Sequence, residues 1–269
     1  MRYRSSISAI TLLSSLCVTM AGAWAWDDSK YPDFHGQWLA IGGPGRFARD
    51  QKAPLTPEYQ AIFDSIKSEG GQGTSNMTYL CFSPGMPRVT NGYGEIEFVL
   101  APTTFHILAD HIYDNRRIFT DGRPWPESIV PTLLGYSIGQ WIDRDGDGKY
   151  DVLEVETRGF RGPRAFDATG LPLHRDNQTI IKEKLYIDSK DSNIAHDEVT
   201  VIDHALTHPW TVVKNYRRHP SARPIWTEQN CAETNPHVRV GKDDYMVSAD
   251  GFLMPTAKGQ KAPDLKYFK

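Results

Sequence analysis

The sequence predicts a mainly β fold, an up-and-down antiparallel β-barrel with one N-terminal helix packed outside it. Two observations carry this prediction. Short strand-like runs follow one another over residues 95–218 with short links between them, and only one segment before them has helical periodicity. Because closing such a meander removes its exposed edges, a barrel is favoured over the alternative, a two-sheet β-sandwich.

The first 25 residues have the layout of a secretory signal peptide. Arg2 and Arg4 precede an apolar run over residues 7–20, and small residues around Ala23 offer a cleavage site. A membrane anchor is the alternative, but the apolar run is shorter than the roughly 20 residues that cross a bilayer. We therefore expect secretion across the inner membrane to the periplasm, with no transmembrane anchor in the mature form.

The charge balance argues against a nucleic-acid partner. Cleavage removes two of the 30 basic residues and none of the 33 acidic residues, so the net charge changes from −3 to −5. Nucleic-acid binding needs a basic stripe, and this chain is mildly acidic. The sequence does not indicate an oligomeric state.

Two of the three cysteines, Cys81 and Cys231, remain after cleavage. In an oxidising compartment an even pair predicts one disulfide. Such a bridge would close a long loop and stabilise the fold by about 4–5 kcal/mol. Two unpaired buried thiols are the alternative.

Residues 26–80 are predicted to form an N-terminal arm with a helix at 57–69. The first part of the arm is rich in Gly, Pro and aromatic residues, and only "DFHGQWLA" is typical of a short strand. Thr56 is placed to cap the helix, and Pro57 suits its first turn. One face carries apolar residues at helical spacing, namely Tyr59, Ile62, Phe63 and Ile66.

Residues 81–235 are assigned to the barrel and hold roughly seven or eight strands. The strand-like runs are "EIEFVLAPTTFHIL", "HIYDNRRIFTDG", "YSIGQWI", "DVLEVETRGF", "QTIIKEKLYIDS", "AHDEVTVID" and "HPWTVVKNYRR". Residues 236–269 have a mixed, Lys-rich composition and are expected to form a C-terminal tail outside the barrel, although the sequence does not exclude that the tail fills it.

Between two of these strands lies "DRDGDGKYDVLE", which matches the pattern of an EF-hand calcium loop. Strands rather than helices flank it, so an EF-hand is excluded. Carboxylates at alternate positions of a glycine-containing turn still suit a hard cation. These are Asp143, Asp145, Asp147 and Asp151. A structural calcium ion is therefore predicted, with a solvated Asp–Gly hairpin turn as the alternative.

No organic cofactor is expected. The sequence has no Walker loop, dinucleotide fingerprint or nucleophile elbow. Its nine histidines are dispersed and show no spacing typical of a metal site.

Seven short motifs occur here in a characteristic order, "LTPEYQA", "CFSPGMPR", "RRIFTDGR", "GYSIGQW", "LPLH", "HPWTV" and "CAETNP". Together they resemble a large, mostly uncharacterised family of secreted bacterial proteins, with the pattern C-x-P-x-GMPR, RRIYTDGR, GHSIGRW, RPWTV and C-x-EN. The resemblance covers residues 55–236. It implies a lipocalin-like barrel and no defining reaction. The Asp-rich loop departs from the family pattern, so a metal ion there would be particular to this branch.

Polar and aromatic residues near predicted strand ends are the candidates for ligand binding. Arg117, Asp121 and Arg123 lie close together, and an arginine fork matches a carboxylate or phenolate. The other candidates are Trp141, His208, Trp210, His106 and Glu95. A structural Arg–Asp network and ordinary packing at barrel corners are the alternatives. The predicted partner is a small apolar or aromatic molecule.

Four residues are candidates for acid–base catalysis. His174 follows the loop "DATGLPLH" and Glu183 comes early in the next strand, so the two could act as a general acid and base. Asp203 lies before the turn that precedes Trp210, and Tyr136 supplies a phenol. Solvated loop residues and packing roles are the alternatives.

These candidates favour a secreted barrel that binds a small hydrophobic or aromatic molecule and acts as a cofactor-free acid–base enzyme, namely an isomerase, dehydratase, hydratase or lyase. A non-catalytic ligand carrier and a calcium-stabilised structural protein of the envelope are the alternatives. An enzyme should hold a buried acid–base pair with perturbed pKa values in its lumen. A carrier should have an apolar lumen, and a structural protein a lumen filled by side chains.

Overall fold

The computed structural model describes residues 26–43, 45–68, 82–110, 115–226, 237–240, 243–248 and 250–262. Nine strands within these residues close into a barrel, which confirms the predicted fold. They are β1 Gln37–Ala40, β2 Glu95–Ala101, β3 Thr104–Ala109, β4 Arg116–Phe119, β5 Tyr136–Ile142, β6 Val152–Arg158, β7 Ile180–Ile187, β8 Ile194–Ile202 and β9 Trp210–Arg218. The predicted signal peptide and both cysteines of the predicted disulfide lie outside the described residues.

The barrel strands follow the order of the chain. Each neighbouring pair among them is antiparallel except β4 and β5, which run parallel and share two register pairs, Ile118 with Ser137 and Phe119 with Ile138. β1 closes the ring, because it pairs with strands on both sides. Trp38 is in register with Ile96 of β2 and with Arg218 of β9. β1 lies in the segment 26–80 that was expected to be an arm, so the ring takes in residues before position 81.

The period-2 alternation of the strands decides which side chains fill the interior. On β6, Leu153 and Val155 are buried while Glu154 is exposed. The same alternation turns acidic residues inward on the next two strands. Glu183 of β7 and Asp197 of β8 are each 2% exposed, in phase with apolar neighbours on their strands.

Two hydrophobic clusters occupy the two ends of the interior. One cluster lies toward the β8–β9 connection and combines strand residues such as Val201 with loop residues such as Phe166. The other cluster lies at the opposite end and surrounds Trp38, Phe105 and Leu185. Side chains therefore fill both ends of the barrel.

The helix α1, Pro57–Ser68, agrees with the predicted helix at 57–69, of which position 69 lies outside the described residues. Thr56 caps it, since its hydroxyl accepts the N–H of Tyr59 at 3.4 Å, and the Thr56 N–H donates to the carbonyl of Ala205 at 2.8 Å. Tyr59 is buried and Phe63 packs on the nearby hydrophobic cluster, whereas Ile62 is exposed. The packing face is therefore narrower than predicted.

The C-terminal segment forms a three-stranded antiparallel sheet where the sequence indicated only a tail. Its strands are β10 His237–Val240, β11 Asp243–Val247 and β12 Leu253–Pro255. No helix in the described parts of the chain has the length and apolar character needed to cross a membrane.

Candidate functional site

Between the two hydrophobic clusters the barrel holds a layer of buried polar side chains. Five consecutive strands, β4 to β8, contribute one residue each. We call this set the polar layer; its members are Arg116, Ser137, Thr157, Glu183 and Asp197. None of them is more than 2% exposed. Because the strands alternate inward and outward positions, the layer lies at one height inside the barrel.

Arg116 and Glu183 form a two-pronged ion pair across the lumen. The Nη1 atom of Arg116 donates to Oε1 of Glu183 at 2.6 Å, and Nη2 donates to Oε2. Nη2 also lies 3.1 Å from the Thr157 hydroxyl and 3.5 Å from the Ser137 hydroxyl, and these two hydroxyls are 2.9 Å apart. Such bonds are needed to offset the desolvation of a buried ion pair.

Asp197 is the second carboxyl group of the layer. Burial raises the pKa of Asp197 well above its usual value, and the negative charge of Glu183 raises it further. Asp197 and Glu183 thus form a buried carboxyl pair beside Arg116, in which burial favours the protonated form of Asp197. Its Oδ1 atom has no hydrogen-bond partner among the described residues.

Two residues of β9 border the layer. Burial raises the pKa of Tyr216, and the Tyr216 hydroxyl donates to the carbonyl of Thr90 at 2.7 Å. Burial also lowers the pKa of Lys214 to about 8. Its ammonium group donates to Oδ1 of Asn91 at 2.7 Å.

A cleft of about 530 Å³ reaches the polar layer from outside, over the parallel pair β4–β5. We call it the arginine cleft; its lining includes Arg116, Arg117, Phe119, Tyr136, Ser137 and Arg161. Arg116 and Ser137 lie at its bottom, since both are almost completely buried. The rings of Phe119 and Tyr136 are 5.1 Å apart and form part of its wall.

A second cleft, of about 370 Å³, lies on the β9 side of the layer. Lys214, Tyr216 and Asn91 line it together with Arg46 and Arg49. The Lys214 ammonium is already hydrogen-bonded there to the carbonyls of Arg46 and Phe47 as well as to Asn91. The arginine cleft is therefore the better candidate for a ligand, because among the described residues its outer guanidinium groups, those of Arg117 and Arg161, have no such partners.

The four predicted catalytic residues fall at three separate places. Glu183 is in the polar layer and Tyr136 lines the arginine cleft. His174 lies in the loop between β6 and β7, where its backbone N–H donates to Oδ1 of the buried Asp203 at 2.8 Å. The structure therefore does not bring His174 and Glu183 together as a pair.

The predicted arginine cluster is also divided. Arg117 lines the arginine cleft, whereas Arg123 binds Asp121 in a bidentate ion pair at 2.6 Å and stacks on Phe119 at 3.8 Å. The hydrogen bond from Arg123 lowers the pKa of Asp121 to about 2. Asp121 and Arg123 thus form the structural Arg–Asp network that the sequence left as an alternative.

The remaining predicted ligand residues lie elsewhere on the barrel. Trp141 packs against Phe105 in the cluster around Trp38, and Trp210 is buried in the other cluster, with its indole N–H on Gln51 at 2.8 Å. The other three are nearer the surface, with His106 at 3.1 Å from the Thr104 hydroxyl, His208 exposed, and Glu95 at 3.5 Å from His219. Burial lowers the pKa of His106.

The Asp-rich turn brings three of its four carboxylates together. Oxygens of Asp143, Asp145 and Asp151 lie within 4.8 Å of one another, whereas Asp147 is outside this group. The same carboxylates accept backbone N–H groups, for example Asp143 from Gly146 at 2.7 Å. This arrangement fits both a cation loop and a turn closed by its own hydrogen bonds.

The sequence contained a signal for the residues that were missed. In "IAHDEVTVI" Asp197 is in phase with Ala195, Val199 and Val201, and in "RRIF" Arg116 is in phase with Ile118. An acidic or basic residue in the apolar phase of a strand points into the core. Charged residues in that phase are therefore better candidates than those near strand ends.

Comparisons with known proteins add no function to this geometry. No family model matches the chain, and no curated protein matches it. The function proposed next rests on the polar layer, the arginine cleft and the sequence motifs.

Proposed function

We propose that this barrel binds a small aromatic or apolar molecule with an acidic group in the arginine cleft. One observation carries the proposal. The cleft contains two guanidinium groups, those of Arg117 and Arg161, that form no ion pair with any side chain in the described ranges. Unpaired arginines beside an aromatic wall favour an anionic ligand with a ring, because guanidinium binds carboxylates and the wall offers stacking.

The dimensions of the cleft support a small molecule. Its volume of about 530 Å³ is within the range typical of small-molecule sites. Apolar lining from Phe82, Leu133 and Leu134 accompanies the polar groups, a mixture that is also typical of such sites.

Binding is tested by calorimetric titration with 2-naphthoate and with its neutral analogue 2-naphthamide. We expect naphthoate to bind and naphthamide to bind at least about tenfold more weakly, since only the acid can pair with an arginine. Arg117→Met should remove this preference. Arg217→Met, on the outer face of β9, is the matched control and should not. Equal binding of both compounds, or no binding of either, would overturn the proposal.

We infer in addition that the barrel catalyses a cofactor-free proton transfer, such as an isomerisation, hydration, dehydration or non-oxidative cleavage. The supporting observation is the buried carboxyl pair Glu183–Asp197, which Arg116 links to the bottom of the cleft. Two carboxyl groups side by side in a buried site raise the pKa of one of them, an arrangement that acid–base catalysis uses. The solvent-facing side chains of the cleft would contact the substrate, and the carboxyl pair and Arg116 would set the charge beneath them.

Catalysis is tested by proton exchange. Aromatic keto acids with an exchangeable C–H are incubated with the protein in D₂O and followed by NMR. We expect deuterium incorporation that falls at least about tenfold in Asp197→Asn and in Glu183→Gln. Circular dichroism establishes that each variant is folded. Exchange at the uncatalysed rate, or exchange unchanged in both folded variants, would leave ligand binding as the function.

We also propose export to the periplasm with removal of the signal peptide, a Cys81–Cys231 disulfide, and a structural calcium ion at Asp143, Asp145 and Asp151. The supporting features are the N-terminal layout, the even number of mature cysteines, the converging carboxylates and the resemblance to a secreted family. Native mass spectrometry of the protein from a periplasmic extract tests all three. It reports the cleavage point, the loss of two hydrogens for a disulfide, and bound calcium.

A further inference from the structure

A cluster of three metal-ligand side chains lies outside the polar layer and both clefts. His174 and Asp176 come from the loop between β6 and β7, and His204 comes from the turn between β8 and β9. The Nδ1 atom of His174 is 2.9 Å from Oδ1 of Asp176, and Nδ1 of His204 is 2.6 Å from Oδ2. Each carboxylate oxygen thus faces one imidazole nitrogen.

We propose that His174, Asp176 and His204 bind a divalent transition metal ion, with Zn²⁺ as the preferred ion. Imidazole nitrogen and carboxylate oxygen are ligands of this class of ion. The ligand atoms of a tetrahedral zinc site are roughly 3.3 Å apart, and the three atoms here lie within 4.8 Å of one another. Small side-chain rotations are sufficient to bring them around one ion.

Two groups of Asp176 compete for one ring nitrogen of His174. Its Nδ1 atom faces the backbone N–H of Asp176 at 3.2 Å, which requires a lone pair, and Oδ1 of the same residue at 2.9 Å, which requires a proton. A single ring nitrogen cannot satisfy both at once. A metal ion at Nδ1 takes that lone pair, so the metal-bound state needs another acceptor for the Asp176 N–H.

Asp203 holds both histidine-bearing segments in place. Its Oδ1 atom accepts the backbone N–H of His174 at 2.8 Å and that of Ala205, next to His204, at 2.9 Å. Its Oδ2 atom accepts the hydroxyl of Thr179 at 2.6 Å, and Asp203 is only 7% exposed. One buried carboxylate therefore positions two ligands that are 30 residues apart along the chain, a task typical of outer-shell partners in metal sites.

The local charge and packing suit a dication. Asp176 and Asp203 place two carboxyl groups close to the two imidazole rings. The ring of His174 packs on Tyr59 of α1 at 5.0 Å, so the helix supports one ligand. His204 and Asp176 are exposed, which gives an ion access. Three protein ligands leave one tetrahedral position for water or an incoming ligand.

This site and the Asp-rich turn should select different ions. The turn offers only oxygen ligands, which suit Ca²⁺, whereas the His–Asp–His set offers two nitrogens, which suit Zn²⁺. Excess Ca²⁺ therefore blocks the turn while the histidine site is titrated.

The test is titration of the purified, chelator-treated chain with Zn²⁺ by calorimetry and with Co²⁺ by visible absorption, both in excess Ca²⁺. We expect one ion per chain at micromolar Kd or tighter, and Co²⁺ bands typical of low-symmetry nitrogen–oxygen coordination. Asp176→Asn and His204→Ala should each weaken binding by about tenfold or more. His208→Ala is the matched control, since His208 is an exposed histidine of the same connection outside the cluster.

Two results would overturn the proposal. One is the absence of binding tighter than millimolar; the other is binding that Asp176→Asn and His204→Ala leave as strong as in His208→Ala. If circular dichroism shows that His204→Ala is unfolded, His204→Gln keeps the side-chain volume and decides the question. Neither outcome depends on the arginine cleft or on a substrate.

Discussion

Arg116 and Glu183 join two strands that are not neighbours in the barrel. Two strands, β5 and β6, separate β4 from β7 around the ring, so the ion pair crosses the lumen. Both side chains are fully shielded from solvent, at 2% and 0% exposure. The ion pair therefore links β4 to β7 inside the barrel, between the two hydrophobic clusters.

Removal of one partner of this pair should destabilise the protein strongly. Arg116→Met and Glu183→Gln each leave a buried polar group without its counterpart, and we expect a loss of about 3–5 kcal/mol in the free energy of unfolding for the former. Urea denaturation measures it. Arg117→Met is the control, because the neighbouring Arg117 is exposed and should change stability by less than about 0.5 kcal/mol. A loss below about 1 kcal/mol in Arg116→Met would contradict this role.

The Arg116→Met, Glu183→Met double variant separates the charge from the space it fills. Replacement of both partners by apolar groups leaves no uncompensated charge, so the double variant should be more stable than Arg116→Met alone. If the double variant instead loses as much free energy of unfolding as the two single variants together, the packing of the two side chains rather than their charge determines the stability.

Stability should decrease as pH rises because of Asp197. Its pKa is raised in the folded state, so its contribution is complete below the unfolded value near 3.9 and is lost as pH rises through the folded value. Asp197→Asn lacks this ionisation. We therefore expect the variant to gain stability relative to the wild type as the pH rises above about 4, as measured by urea unfolding at several pH values. A constant difference would show that Asp197 does not titrate in this range.

Lys214 should make the protein more stable as the pH rises in the alkaline range. Its pKa falls from 10.5 in the unfolded chain to about 8 in the barrel, so the unfolded chain binds more protons between these values and stability rises with pH there. The contribution across this window is roughly 3 kcal/mol. Lys214→Met should lack the rise. An identical pH profile for the variant and the wild type would contradict the lowered pKa.

Calcium should stabilise the chain through three carboxylates of the Asp-rich turn. A free calcium concentration of about 100 times Kd adds about 2.7 kcal/mol to the free energy of unfolding. Thermal unfolding in the presence of calcium and of a chelator measures this stabilisation as a shift in Tm. Asp143→Asn should reduce the shift. Asp147→Asn should not, because Asp147 lies outside the converging group. Equal shifts in both variants, or no shift in the wild type, would favour a turn closed by its own hydrogen bonds.

Most of the barrel could be predicted because its strands carry a local signal. The run "YSIGQWI" coincides with β5, and the run "DVLEVETRGF" contains all of β6. β1 carries little such signal, since it has four residues and acquires its role from partners at Ile96 and Arg218. The strands around Met246 were missed for the same reason, because they are short and mixed in composition.

The site was predicted only in part because its contacts are distant in sequence. Glu183 and Tyr136 were identified, but Glu183 was paired with the nearby His174 rather than with Arg116, which is 67 positions away. Closure of the ring creates that contact, and no local spacing encodes it. Similarly, His204 had no apparent partner in the sequence until the loops brought it to Asp176.

A closed ring whose members alternate in direction must have an even number of members. This barrel has nine strands, so at least one neighbouring pair must be parallel. That pair is β4 and β5. That junction has two register pairs, whereas β5 and β6 share seven. It should therefore be the first place where backbone amides exchange with solvent deuterium. The arginine cleft lies over the same junction, so a molecule bound there would bridge the weakest joint of the wall.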